Sequence, residues 1–268
     1  MKILLNATLA LFAAALLGGC DGNSTGAYQG YIEGEYVYVA SPLGGALTNL
    51  AVSRGDAVKA GQVLFELERQ SEADALAQAE KNLALAQANL KLAESVFQRR
   101  MELHNSPTAV VSQEELDTAR SQRDAGAAQV ASEQAALDKA RWSFDQKQQF
   151  APTNAAVHDT LYRTGEWVAP GSPVVVLLPP ANLKVRFFLP QAILPRVKTG
   201  QTVSVHCDGA AHDLKVVVNY ISTQAEYTPP VIYSRESRAS IVFMIEAKIS
   251  PADAPDVRPG QPVDVRLE

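Results

Sequence analysis

Residues 52–67 read VSRGDAVKAGQVLFEL, and residues 162–177 read YRTGEWVAPGSPVVVL. The two stretches align without a gap, Gly55-Asp56-x-Val58-x-x-Gly61-x-x-Leu64 over Gly165-Glu166-x-Val168-x-x-Gly171-x-x-Val174. Glycines at matched spacing suit tight turns, where positive φ is free of penalty only for glycine. Val58, Val63, Phe65 and Leu67 are expected to alternate inward, as on a half-buried strand. One chain therefore holds two copies of a turn-rich β half-module, and the segment between them decides the architecture.

That segment, from Arg69 to Phe150, has one proline, Pro107, and one glycine, Gly126; the rest is rich in Ala, Leu, Gln, Glu and Lys, all good helix formers. Leu76, Ala79, Leu83, Ala86, Leu90, Ala93 and Phe97 step by three and four alternately. This is a heptad seam, with leucine at one core position and alanine at the other. The second half carries a less regular seam of Leu116, Ala119, Gly126, Val130, Leu137, Ala140 and Phe144, with Arg123 and Glu133 in the same frame. Ser112 followed by Glu115 reads as a capping box that starts a helix. Pro107, within residues 105–111, breaks the chain between the halves. The pattern predicts an antiparallel helical hairpin with arms of roughly 50 Å, the second running to about Phe150. Antiparallel pairing brings Leu76 toward Phe144, and Phe97 toward the region from Leu116 to Arg123. Because the hairpin interrupts a β motif whose halves must pair, its base is fixed and its tip projects.

At the N-terminus Lys2 precedes an apolar run, Ile3 to Leu17, broken only by Asn6 and Thr8, and LLGGCDGNSTG follows. A run of about 15 residues is short for a bilayer span, which needs ~20, and fits a signal-peptide core. Small residues leading into a cysteine resemble a bacterial lipoprotein signal. That resemblance implies cleavage after residue 19, acylation of Cys20, and attachment to the membrane by several acyl chains. Asp21 resembles the inner-membrane retention signal of Gram-negative lipoproteins, and residues 22–26 read as a flexible tether. With Cys20 acylated, Cys207 has no cysteine to pair with and reads as a small buried strand residue.

Several function classes fall away. The 24 basic and 29 acidic residues give a net charge of −5, and the only basic doublet is Arg99-Arg100, so nucleic acid is not expected as a partner. No nucleophile elbow, phosphate-binding glycine loop or metal cluster is present, so neither catalysis nor a cofactor nor a metal is expected. Glu114-Glu115 reads as the solvated start of a helix, and adjacent strand residues His206, Cys207 and Asp208 point to opposite faces. Met101 and Met244, far apart, are the only methionines after residue 19.

The paired half-modules resemble a biotinyl or lipoyl domain. Such a domain presents a lysine on the turn between its halves; here Glu68-Arg69-Gln70-Ser71-Glu72 lead into helix instead, so a swinging-arm carrier is not expected. In its order of parts the chain resembles the HlyD family of secretion proteins, also called membrane fusion proteins or periplasmic adaptors. VYVASPLGGALTNLAVSRGDAVKAGQVLFELE resembles the family's first lipoyl half, and FAPTNAAVHDTLYRTGEWVAPGSPVVVLL the second. LKVRFFLPQ, VKTGQTVSV and VRPGQPVDV resemble the adaptor β-barrel, with LKVVVNYIS and SIVFMIEAKI as strands between. The expected fold is mostly β with a long α-helical hairpin: a lipoyl-like β-sandwich split by a coiled-coil hairpin, followed by a β-barrel domain. The expected parts are a signal peptide (1–19), a lipidated tether (20–35), the lipoyl-like domain (36–68 and 151–180), the hairpin (69–150) and the barrel (181–268). The membrane-proximal domain that larger adaptors add is not expected.

The resemblance implies a non-catalytic adaptor on the periplasmic side of the inner membrane of a Gram-negative envelope. Its implied partners are an inner-membrane exporter and a TolC-type outer-membrane channel, in a homo-hexamer whose hairpins form a tube. The segment EYTPPVIYSRESR resembles adaptors of ABC-type exporters; RND and MFS exporters stay open. The family's tip motif maps onto Arg99, Leu103 and Ser112, with Arg100 and Gln113 beside them as channel-binding candidates. The gap from Leu103 to Ser112 is longer than the family's usual one. The alternative is a lipid-anchored coiled-coil scaffold without a transporter partner.

Overall fold

A computed structural model describes residues 26–107, 110–208, 212–227 and 241–267. The expected signal, Cys20, Asp21 and most of EYTPPVIYSRESR lie outside the described residues. In chain order the elements begin with β1 (Ala27–Gly34), β2 (Val37–Ala40), β3 (Gly45–Leu50), β4 (Ala57–Val58) and β5 (Val63–Leu67). Two long helices follow, α1 (Gln70–His104) and α2 (Gln113–Asp145). Then come β6 (Gln148–Phe150), β7 (Ala155–Thr160), β8 (Trp167–Val168) and β9 (Pro173–Leu178). The last strands are β10 (Leu183–Pro190), β11 (Thr202–Cys207), β12 (Leu214–Tyr227), β13 (Ile241–Lys248) and β14 (Pro262–Leu267). The chain divides into two units, one of residues 1–35 and 180–268, the other of residues 36–179.

The unit of residues 36–179 is the sandwich with its inserted hairpin. Its two sheets run β2-β9-β7-β4 and β6-β5-β3-β8. Exchanging β2 with β6, β3 with β7, β4 with β8 and β5 with β9 turns one order into the other, so each sheet takes two strands from each sequence half. The glycines at matched spacing in the two copies make this exchange possible. Gly55 and Gly165 have φ of 94° and 95°, Gly61 and Gly171 of 79° and 75°. The amides of Gly55 and Gly165 donate to the carbonyls of Val157 and Leu47, and those of Gly61 and Gly171 to Ala151 and Ser41. Every bond thus ties one half to the other at equivalent positions. The core is filled by Leu47, Val58, Leu64, Phe65, Val168 and Leu177 among others. Leu64 is as buried as Phe65, both at 0% exposed, so β5 is covered on both faces and does not follow the simple alternation expected.

Helices α1 and α2 pack as an antiparallel pair between β5 and β6. Ala79, Leu83, Ala86 and Phe97 of one seam and Leu116, Ala119 and Leu137 of the other are buried. Gly126 sits where a Cβ would stand 3.3 Å from Leu90 Cδ1 and 3.4 Å from Leu90 Cα, so the backbones approach closely there. Phe97 meets Leu116 and Ala119 as expected. At the other end Leu76 joins Ala79, Leu83, Leu137 and Ala140, while Phe144 lies under the Arg69 guanidinium at 4.7 Å.

Two boundaries differ from the sequence reading. The second arm ends at Asp145, and residues 148–150 form β6, an edge strand paired with β5. The pairing with β5 outweighs the helical preference of Gln-rich sequence. The tether read as 20–35 is shorter, because Ala27–Gly34 pairs on both sides, with β10 and with β14. Ile32 is fully buried, and a Cβ on Gly30 would stand 2.5 Å from the Arg186 carbonyl oxygen and 2.7 Å from Phe187 Cβ. Only glycine lets this strand approach its neighbour.

In the other unit β1-β10-β13-β12-β11-β14 close into a barrel, which leaves no free edge. Val203, Val205 and Cys207 alternate into its core, and burial pushes the Cys207 thiol up, aided by Asp213 and Asp208. The barrel also contains a repeat. VKTGQ and VRPGQ each make a turn with glycine at φ 89° or 85°. In each, the glutamine side chain accepts from the turn's first amide, Lys198 or Arg258. Outside the barrel, β1, β10 and β13 form a charged ladder in which Lys184 Nζ meets Glu35 at 2.6 Å and Glu246 at 2.9 Å. Arg186 joins Glu33 at 2.9 Å and Glu246 at 3.0 Å.

Candidate functional site

The hairpin end far from the sandwich holds the residues singled out by sequence, and its geometry follows from local rules. Helix α1 stops at His104, where the Asn105 amide donates to Met101 O and Ser106 Oγ to Leu103 O. Helix α2 starts at Ser112, whose hydroxyl accepts from the Glu115 amide at 3.3 Å while the Glu115 carboxylate accepts from the Ser112 amide at 3.0 Å. These are the two halves of the expected capping box. The Ser112 backbone and hydroxyl hydrogen bonds hold the Glu115 carboxyl below its usual range, with the Arg100 charge adding to them.

Two side chains clasp the helices across the break. Arg100 Nη1 donates to the Glu115 carbonyl at 3.0 Å. His104 Nδ1 lies 2.9 Å from the Val111 carbonyl; a carbonyl only accepts, so Nδ1 carries the proton. Beneath them Phe97 is packed by Met101, Leu116 and Ala119, with the Arg123 guanidinium 4.5 Å above its ring. The tip is thus a small closed core.

The candidate residues divide into two groups. Arg100 and Ser112 close the hairpin and spend their hydrogen-bonding groups inside it. Arg99, Leu103 and Gln113 face outward, Leu103 being 42% exposed; Gln113 Nε2 donates to Asp117 on its own helix at 3.0 Å. Sequence reasoning missed Val110, which is 71% exposed at the tip. Its neighbour Val111 is half-buried, and the doublet gave no sign of which would be outside. Among the described residues, no group of three or more His, Cys, Asp or Glu is placed to hold a metal, and no helix is long and apolar enough to cross a membrane.

A lipoyl-like sandwich opened by a long two-helix hairpin, with a six-stranded barrel in the same chain, resembles the fold of solved membrane fusion proteins. Residues 75–147 match the family model described as RND MFP, alpha-helical hairpin domain. The chain is 25% identical over 291 aligned positions to the UPF0194 membrane protein YbhG of Salmonella paratyphi B, covering 89% of this chain and 87% of that one. Among solved structures, MacA from Actinobacillus actinomycetemcomitans superposes with a TM-score of 0.70 at 16% identity, covering 90% of this chain and 78% of that one. The membrane fusion protein Spr0693 from Streptococcus pneumoniae R6 gives 0.66 at 19% identity, covering 90% and 98%. The chain thus has a fold similar to that of solved membrane fusion proteins, and its hairpin matches the hairpin model of that class.

Proposed function

We propose that the chain is a periplasmic adaptor that couples an inner-membrane exporter to a TolC-type outer-membrane channel, with the hairpin tip as the channel-docking end. Cys20 is the proposed lipid anchor, holding the chain on the periplasmic face of the inner membrane, and six copies are the proposed working assembly. The observation that carries the docking assignment is the contrast at the tip. A rigid, internally satisfied clasp presents Arg99, Leu103 and Val110 to the outside, and helix ends there supply backbone groups for a partner.

The exporter is proposed as ABC-type, on the resemblance of EYTPPVIYSRESR. A second reading, an RND exporter, is favoured by the name of the family model that residues 75–147 match. Crosslinking from the barrel in intact cells, followed by identification of the captured inner-membrane protein, separates the two.

The docking test is the variant Arg99→Asp, Leu103→Asp, Val110→Asp, which spares Arg100 and Ser112. Export is expected to fall to the level of a deletion strain while helix content, membrane attachment and exporter crosslinking stay as in the parent. Export at the parental rate with the variant expressed normally overturns the docking assignment.

A further inference from the structure

The hairpin is rooted in the sandwich by two chain segments, one entering through Glu68 and Arg69, the other leaving through Gln146 and Lys147. The Leu67 amide donates to Lys147 O and ties the two segments together, while the Glu68 amide donates to Ala46 O in β3. These bonds lie at the sheet edge, below the helices. A second, polar set of bonds crosses that edge. Lys147 is 5% exposed, and its Nζ donates to the Gly44 carbonyl at 2.7 Å and pairs with Glu72, in the first turn of α1, at 3.0 Å. Ser41, fully buried, donates from Oγ to the Gln146 carbonyl at 2.7 Å and accepts from the Leu43 amide at 3.1 Å. The loop of residues 41–45 is thereby bolted both to the end of α2 and to the start of α1.

Three observations separate this cluster from ordinary packing. Ser41, Lys147 and Lys184 are the buried polar or charged residues among the described residues, and two of the three meet here. The internal repeat supplies a control within the same fold: the 110-residue offset that places Gly55 on Gly165 places Val37 on Lys147 and Ser41 on Ala151. At the equivalent corner of the sandwich, from which no hairpin leaves, these two positions are therefore apolar. The sandwich therefore does not need a lysine there; only the hairpin root has one. Finally, a buried ion pair is a weak source of stability, since desolvation of both charges offsets their attraction, and its best-attested use is to select one arrangement. Glu72 Oε2 is buried without a hydrogen-bond partner, so the pair hangs on the other oxygen and tolerates little displacement.

We propose that Lys147 is the positioning residue that locks the helical hairpin at one orientation on the sandwich, through the Gly44 carbonyl and Glu72, with Ser41 as its auxiliary. Without the lock the hairpin pivots about its two root segments. Through it, motion of the sandwich reaches the tip as rotation of a single rigid piece.

The test uses genetically encoded spin labels at the exposed positions Arg54 in the sandwich and Ser121 in α2, in the full chain, with the distance distribution read by double electron–electron resonance. The parent is expected to give one narrow distribution. Lys147→Met is expected to widen it about twofold, as a released hinge does, and Lys147→Met with Glu72→Leu to do the same. Val37→Met, at the repeat-related corner, is expected to leave the width unchanged. If Lys147→Met alone fails to fold, the double variant carries the test, because it buries no unpaired charge. A distribution as narrow as the parent's in the folded lysine variants overturns the proposal. So does failure of the double variant to fold, which would make the pair a requirement of folding and not of orientation.

Discussion

Gly126 tests how closely the hairpin arms approach, because two effects of known size oppose each other there. It lies inside α2, where glycine is about 0.8–1 kcal/mol less favourable than alanine. Against that gain stands the space: an added Cβ would sit 3.3 Å from Leu90 Cδ1 and 3.4 Å from Leu90 Cα. The first neighbour is the end of a half-buried, rotatable side chain and gives way by a few tenths of an ångström; the second is at the edge of ordinary contact. Gly126→Ala is therefore expected to stabilise the hairpin by roughly 0.5–1 kcal/mol. Gly126→Val adds methyl groups that must enter where the Leu90 backbone stands, and it is expected to destabilise by about 1–3 kcal/mol. Hydrogen exchange of the mid-helix amides of α1 and α2 reads both changes locally, without requiring the whole chain to unfold as one unit. Loss of protection in Gly126→Ala by more than about 0.5 kcal/mol would show that Leu90 cannot yield. Gained protection in Gly126→Val would refute the close approach itself.

The barrel's charged ladder sets a pH limit. Burial pushes the Glu246 carboxyl up, but hydrogen bonds and charge from Lys184 and Arg186 outweigh it and leave it below its ordinary value. Its contribution is thus complete above the ordinary glutamate value of about 4.3 and is lost as pH falls through the lower folded value. Lys184 is shifted up, its carboxylate partners overcoming desolvation, so its contribution is lost only as pH rises above the ordinary lysine value. Denaturant melts of the barrel from neutral to acid pH should show the acid loss, and Glu246→Gln should flatten it; an unchanged acid limb in that variant would remove Glu246 from the account. For the proposed anchor, Cys20→Ser is expected to move the protein from the membrane to the soluble periplasmic fraction. Intact mass of the parent should exceed that of the chain from residue 20 by the acyl groups, and a mass equal to the full unmodified chain would rule out acylation.

The parts legible in the sequence are those set by period or by local chemistry. A two-helix seam depends only on spacing, so Leu76 to Phe97 and Leu116 to Phe144 could be read directly, including Arg123 and Glu133, which the structure leaves half-buried in that frame. The capping box spans four residues, and the paired glycines declare their turns by themselves. What the sequence hid depends on distant partners. β1 is a barrel strand because Gly30 fits against Phe187 and Ile32 fills the core, and neither neighbour is near in sequence. Residues 148–150 look helical until β5 is there to pair with them. Lys147 stands among polar helix residues as any surface lysine would; only the fold brings Gly44 and Glu72 to its ammonium.

The tip motif was half legible for a related reason. Arginine and leucine at the family's spacing, with a serine set further along, can be read as a docking code, but a hairpin must first close itself. Arg100 and Ser112 do this, and His104 adds a clasp across the longer connection. What remains for a partner among the described residues is small: Arg99, Leu103, Val110 and Gln113. An exposed charge pair contributes about 0–1 kcal/mol, and two exposed aliphatic side chains add a few kcal/mol at most. One tip alone would hold a channel only weakly. The proposed docking therefore requires several tips engaged together, each raising the effective concentration of the next. The same reasoning makes the orientation of each hairpin matter: tips that point in different directions cannot engage a ring at once, and the avidity is lost. A buried lysine that holds each hairpin at one angle then serves the docking directly, although it lies at the opposite end of the arm.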